Sequence, residues 1–179
     1  IKIALIPRGT GNDWGRFWKL RKNDKESMKV FLQGNAQLID IGKIDYRTDN
    51  QEQEHFFINS VGFGLDGNVC DLTHQLKKYT GSFSFLYTIA LLIAVFRYQS
   101  AKAEIVINGI KHDIWLFTMN IANGSYSGGG IRQNPSALPY DGFFDMIMVS
   151  KPNSWDIITA LPLIFNGRIT KHPSIKSFR

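Results

Sequence analysis

With 179 residues, 44% of them hydrophobic and 13% aromatic, the chain can bury one sizeable core or two small ones, which excludes a disordered tail. Cys70 is the only cysteine, so an intrachain disulfide is excluded and a reducing compartment fits. The formal net charge of +6 asks for an anionic partner, and nucleotide phosphate, an acidic membrane surface and nucleic acid all satisfy it.

No initiator Met and no signal-type n-region precede Ile1, so neither a natural start nor a signal peptide is expected there. Lys2 to Ile6 reads as a short buried strand stopped by Pro7. Gly9-Thr10-Gly11-Asn12-Asp13 reads as a turn, and Trp14 to Leu20 as a helix capped by Asn12 or Asp13. A second helix is expected over Glu26 to Leu32, with Gly34 and Asn35 as its stop signal. Strand patterns then dominate: Gln37 to Ile44, His55 to Phe63, Ala103 to Ile107, Ile114 to Ala122 and Phe143 to Val149, with the polar stretch Arg47 to Glu54 as a hairpin loop. Two helices interrupt them, Ser84 to Tyr98 and Trp155 to Phe165, the second to be kinked or ended by Pro162. The apolar run Phe83 to Phe96 falls short of the about 20 residues a spanning helix needs, so no transmembrane segment is expected. The class is α+β. The change of composition near Gly34 to Ala36 divides residues 1–35, the end of an α/β layer, from a mainly β segment over 36–179.

Four stretches could carry chemistry. In Pro7 to Asp13 a strand, a glycine turn and a helix start can hold an anion, with Gly9, Thr10 and Asn12 at the turn. A capped turn without ligand fits the spacing equally, because Trp14 stands where a dinucleotide fingerprint needs its third glycine. Asn123 to Gly130 follows an apolar strand and ends in three consecutive glycines, more than a hairpin needs, which favours a functional loop over a simple tip. Pro135 to Asp145 makes a tight turn with Asp141 at its tip, either an Asx-turn or a hard-cation site of one carboxylate with turn carbonyls. Phe57 to Gly67 is an apolar strand ending in Gly-Phe-Gly with Asp66 just beyond, either a bulge with a helix-starting acid or a ligand contact. His55, His74, His112 and His172 have no metal-ligand spacing. Arg16, Lys19, Arg21, Lys22 and Lys25 form a basic cluster on and after the first helix.

The order of these stretches resembles the diacylglycerol kinase/sphingosine kinase superfamily, especially its bacterial soluble lipid kinases. The resemblance is carried by Pro7 to Arg16, Ile39 to Gly42, Phe57 to Asp66, Asn123, Gly128 to Gly130, Pro135, Ala137 and Asp141 to Asp145. It implies a Rossmann-like α/β domain that holds ATP, followed by a β-sandwich, with the lipid between them. Thr10, with Gly9 and Asn12, matches the nucleotide-contacting turn. Leu138, Asp141 and Phe143 match a structural Mg²⁺ site, and Asp66 lies where relatives place an acid facing the lipid head. The implied activity is transfer of the ATP γ-phosphate to a lipid hydroxyl such as that of diacylglycerol, in the cytoplasm and peripherally at the membrane, with no nucleic acid as partner. The family's Gly-Gly-Asp-Gly-Thr loop is expected upstream of Ile1, and its Asp-Gly-Glu, which carries the base, beyond Arg179. No catalytic residue is therefore expected within the chain, the sandwich is expected to be incomplete, and its open edges favour self-association into a homo-oligomer. Rival readings are a nicotinamide-nucleotide or sugar kinase, and a non-catalytic lipid-binding protein with a degenerate kinase fold.

Overall fold

The computed structural model describes residues 2–9, 11–49, 51–81 and 85–179. Lys2 to Ile6 is not a strand. No described strand pairs with it, and without a ladder partner the side chains of Ile3 and Ile6 stay exposed. Helix α1 spans Asp13–Phe17 and stops short of Leu20, because Lys19 takes a left-handed φ of 57°. The Leu20 N–H then reaches back to the Gly15 carbonyl at 2.9 Å and the Lys19 N–H to that of Arg16 at 3.1 Å, closing the helix end. Helix α2, Asp24–Leu32, starts where Asn23 accepts from the Lys25 and Glu26 N–H groups at 3.0 and 3.3 Å.

Strands β1 (Gly42–Thr48) and β2 (Gln51–Phe57) form an antiparallel hairpin running from Gly42 opposite Phe57 to Thr48 opposite Gln51. The polar stretch Arg47 to Glu54 therefore belongs largely to the ladder. Cross-strand ion pairs, Arg47 with Glu52 at 2.8 Å and Lys43 with Glu54 at 2.7 Å, take the place of apolar alternation. The expected strand His55 to Phe63 is divided at Ile58 and Asn59 into β2 and β3 (Ser60–Gly64), because the Asn59 carbonyl turns away to accept from the N–H groups of both Asn123 and Gly124.

Among the described residues three α-helices, not two, interrupt the strands that follow. Helix α3 (Leu65–Thr80) escaped the sequence reading, although Leu65, Val69, Leu72 and Leu76 recur at helical spacing and all pack in the core. It forms a helical hairpin with α4 (Leu86–Arg97). Strands β4 (Ala101–Ile107) and β5 (Ile110–Ala122) are joined by Asn108 and Gly109, both at positive φ as a two-residue turn requires. Strand β6 spans Asp145–Ser150. Helix α5, Ser154–Phe165, opens with a capping box between Asn153 and Asp156 and continues three residues past Pro162. A 3₁₀ turn, Ile169–Lys171, leads into β7, Ile175–Phe178.

The second sheet is antiparallel in the order β3-β5-β6-β7, with β4 on the first half of the long β5. Val69, Ala90, Leu91, Ala94 and Val95 of α3 and α4 bury against Phe117 and Val149 of this sheet, with Ile157 and Ile164 of α5 alongside. The class is thus α+β, with a sandwich-like antiparallel sheet layered against helices.

Candidate functional site

The site is built where β3 turns into α3. Asp66, in the first turn of α3, folds back over β3, and only a glycine at position 62 leaves room: a Cβ there would lie 2.4 Å from Asp66 Oδ2. From β5, Thr118 Oγ1 donates to Asp66 Oδ1 at 3.0 Å and Asn120 Nδ2 to Oδ2 at 2.9 Å. Gln133 Nε2 adds longer bonds to both oxygens, 3.4 and 3.2 Å. Gln133 is itself held by the Ser127 hydroxyl at 2.6 Å, and Asn120 Oδ1 accepts from Asn134 Nδ2 at 2.7 Å. Burial raises the Asp66 carboxyl above its ordinary value, and the bonds from Asn120, Gln133 and Thr118 act against it. A carboxylate so placed accepts strongly from a hydroxyl presented to it.

Asp66 lines a partly open cavity of about 90 Å³ between α3, α4, the sheet and α5, to which Asp156, His172 and Ser174 also contribute polar side chains. Leu91, Val95, Phe117, Ile157 and Ile164 make its walls apolar. Tyr87 of α4 lies between this cavity and the glycine loop, and its phenol is held well above the usual range, by burial first and by the Asp66 charge next.

The loop Asn123 to Gly130 connects this centre to the N-terminal turn. Gly128 lies flat against the Tyr87 ring, with φ 57° and no space for a Cβ, which would come within 2.2 Å of a ring carbon. The Gly129 N–H donates to Asp13 Oδ2 at 2.9 Å. Arg16 lies over the Tyr126 ring at 5.9 Å and beside Gly130, so it faces the loop rather than standing free in the basic cluster. Thr10 lies outside the described residues. The other two members of the turn hold one another, the Gly9 N–H donating to Asn12 Oδ1 at 2.9 Å and Asn12 Nδ2 to the Gly9 carbonyl. Asn12 has left-handed φ and does not cap α1 with its side chain.

The turn after Pro135 forms a separate cluster. Asp141 Oδ1 accepts from the Phe143 N–H at 3.2 Å, as an Asx-turn does, while Oδ2 pairs with Arg179, whose guanidinium covers the Phe143 ring. Asp40 ties the turn down, its N–H donating to the Pro139 carbonyl and its Oδ2 accepting from the Gly142 N–H, both at 2.8 Å. Asp145 Oδ2 is buried without a hydrogen-bond partner, and burial raises that carboxyl, with the Asp141 charge adding and Arg179 opposing. No cluster of three or more His, Cys, Asp or Glu side chains able to hold a metal exists among the described residues.

Thus the turn at Gly9 to Asp13, the glycine loop and Asp66 are brought into one connected region, and the Asp141 turn is set apart from them. Thr118, Asn120 and Gln133 are not among the residues that the sequence singles out. Thr118 and Asn120 carry a signal: two polar residues two apart, sharing a face of the otherwise apolar stretch Ile114 to Ala122.

The family described as the YegS C-terminal NAD kinase beta sandwich-like domain matches residues 59–179. The chain belongs to that family. Among curated proteins it is similar to a diacylglycerol kinase of Mycobacterium tuberculosis, 28% identical over 93% of this chain and 53% of the relative. A diacylglycerol kinase of Staphylococcus carnosus is 27% identical over 97% and 54%. The chain therefore spans about half the length of the curated relatives it matches. A Bacillus anthracis crystal structure shares the fold with a TM-score of 0.67 at 20% identity, covering 97% of this chain and 53% of that one. Asp66 and the glycine loop both lie within the matched residues. No helix among the described residues is long and apolar enough to cross a membrane.

Proposed function

We propose that the protein containing this chain is an ATP-dependent lipid kinase that transfers the γ-phosphate to a hydroxyl of a membrane lipid of the diacylglycerol class. The observation that carries the reading is the placement of Asp66, oriented by Thr118 and Asn120, on the lining of a mainly apolar cavity. An acyl segment fits the walls, and the head hydroxyl then meets a carboxylate already oriented by Thr118, Asn120 and Gln133. Asp66 binds and orients that hydroxyl in this scheme.

ATP supplies the phosphoryl group. Gly9, Thr10 and Asn12 would hold the nucleotide, and the bare backbone fits this: a Cβ on Gly11 would come 3.4 Å from Gly129 Cα, so turn and glycine loop pack backbone to backbone. The donors of the second cluster suit a hard cation such as Mg²⁺, since Asp141 has one guanidinium as its charged partner and Asp145 keeps a buried oxygen with none. Leu138, Asp141 and Phe143 would hold it, and its contribution is to neutralise the turn.

The test is turnover by the full-length protein with labelled ATP against a panel of diacylglycerol, sphingosine and monoacylglycerol in mixed micelles. Lipid phosphorylation, lowered about 10- to 100-fold in kcat/KM by Asp66→Asn, is expected for the loss of a hydrogen bond to a charged acceptor. Lipid binding without phosphorylation of any panel member overturns the kinase reading.

A further inference from the structure

Helix α5 covers the cavity without being embedded in the core. From Ile157 to Phe165 its only polar residue is Thr159, yet none of the 12 residues of the helix is buried. Ile157 and Ile164 pack against the core cluster from outside, whereas α4 buries Ala90, Leu91, Ala94 and Val95 within it. Ile157, Ala160, Leu161 and Ile164 line the cavity, so the inward face of α5 meets open space where α4 meets side chains. A helix with so few buried apolar contacts opens at low cost. Its ends carry what a pivot needs. Strand β6 passes into it through Lys151, at φ 39°, and Gly167 follows it at φ 70°. A side-chain hydrogen bond then fastens it. The Thr159 hydroxyl gives its proton to the Trp155 carbonyl at 2.8 Å, so it accepts from His172 Nε2, also at 2.8 Å. His172 Nδ1 accepts the Ser174 N–H at 3.3 Å, and the buried ring thereby joins α5 to the segment entering β7.

We propose that α5 is a lid on this cavity, pivoting at Lys151 and Gly167 and latched by His172, which opens to admit an alkyl chain and closes over it. The sheet and the α3–α4 pair are the fixed walls, because their lining residues Phe117, Val149, Leu91 and Val95 belong to the buried core. The α5 wall is the one whose lining residues do not. A chain in the cavity gives Ile157, Ala160, Leu161 and Ile164 the apolar contact they lack. Binding therefore raises the cost of opening α5 and leaves that of α3 and α4 nearly unchanged. The latch acts on the same helix from its other side, through Thr159, and needs no ligand. The lid rests on the lipid-kinase reading only for the identity of the chain it admits.

The experiment is amide hydrogen exchange of the full-length protein, alone and with two probes, a short-chain diacylglycerol and decanol. In the free protein the amides of residues 157–165 are expected to exchange at least about tenfold faster than those of α3 and α4. Each probe at saturation should slow α5 about tenfold and change α3 and α4 little. Thr159→Val keeps the shape of the side chain and removes the acceptor for His172, so α5 exchange should rise about tenfold while α3 stays as in the wild type. Should that variant not fold, the wild-type profiles with and without probe decide alone. Protection of α5 equal to that of α4 in the free protein overturns the proposal. So does an effect of the probes no greater in α5 than in α3 and α4, which would place the entrance elsewhere. A folded Thr159→Val variant with wild-type exchange in α5 overturns it as well. If decanol slows α5 while the full-length protein phosphorylates no lipid, the lid stands and the kinase reading fails.

Discussion

The Gly129 N–H donates to the Asp13 carboxylate at 2.9 Å, joining the helix-opening turn to the glycine loop across most of the chain. The second oxygen, Asp13 Oδ1, is buried with no hydrogen-bond partner, so this one bond carries the carboxylate. Asp13→Ala is expected to destabilise the protein by about 1.5–3 kcal/mol, the range for a hydrogen bond to a charged group. Amide exchange should accelerate first in residues 124–131. Asp13→Asn keeps an acceptor oxygen and should cost less. Equal exchange in the loop of wild type and Asp13→Ala would show that the loop is held by its other contacts.

Asp66 should show the opposite sign of effect on stability and on function. Its carboxyl is raised in the folded protein by burial. Between the unfolded and folded values the native state binds more protons, so stability falls as pH rises through that window, and the full cost is present above it. Asp66→Asn should therefore raise the melting temperature at neutral pH while lowering lipid turnover, and the gain should vanish at pH below the unfolded carboxyl value of about 3.9. Melting curves of both proteins from pH 3 to 8 provide the measurement. A variant less stable than wild type at pH 7 would mean that the hydrogen bonds from the three partners outweigh desolvation.

Local signals made the second sheet legible and hid part of the first. The β4–β5 turn announced itself through Asn108-Gly109, and α5 through its apolar run. The ladder of β1 and β2 reads as loop because its support comes from Arg47–Glu52 and Lys43–Glu54 pairs instead of buried residues. Helix α3 was obscured by its polar outer residues and by Gly67, although its apolar face was present at regular spacing. The site was half legible for a similar reason. Asp66, the glycine loop and Asp141 stand out as residue types in turns. Thr118, Asn120 and Gln133 matter only because antiparallel pairing of β3 with β5 sets the two strands side by side, and Gln133 reaches in from far along the chain.

Contact between Gly128 and the Tyr87 ring should be measurable as a coupling. Gly128→Ala places a Cβ into the ring and keeps a left-handed φ, so a loss of about 1–3 kcal/mol from overpacking is expected on top of about 1–2 kcal/mol of backbone cost. In a Tyr87→Ala background the steric part disappears and only the backbone part remains. A double-mutant cycle by denaturant unfolding reads the difference. Additive effects would show that the loop moves away from the ring at little cost.

At the Asp141 turn, a cation would compete with Arg179 for one carboxylate. Asp141 Oδ2 pairs with Arg179, Asp145 Oδ2 has no partner, and the raised Asp145 carboxyl reflects burial and the Asp141 charge. A guanidinium supplies one positive charge to two carboxylates, and a divalent ion in its place would supply two. If Leu138, Asp141 and Phe143 hold Mg²⁺, the metal stabilises the folded state by mass action, by about 1.4 kcal/mol at ten times its dissociation constant. The melting temperature should then rise with Mg²⁺ and return on chelation. Arg179→Gln removes the competitor, so the response should begin at lower Mg²⁺ in that variant, while Asp141→Ala should abolish it. An Asx-turn alone gives another pattern. Asp141→Ala would then lower stability equally with metal and with chelator, and Arg179→Gln would leave the Mg²⁺ dependence unchanged. Thermal melts of the three proteins across a Mg²⁺ series separate the two outcomes.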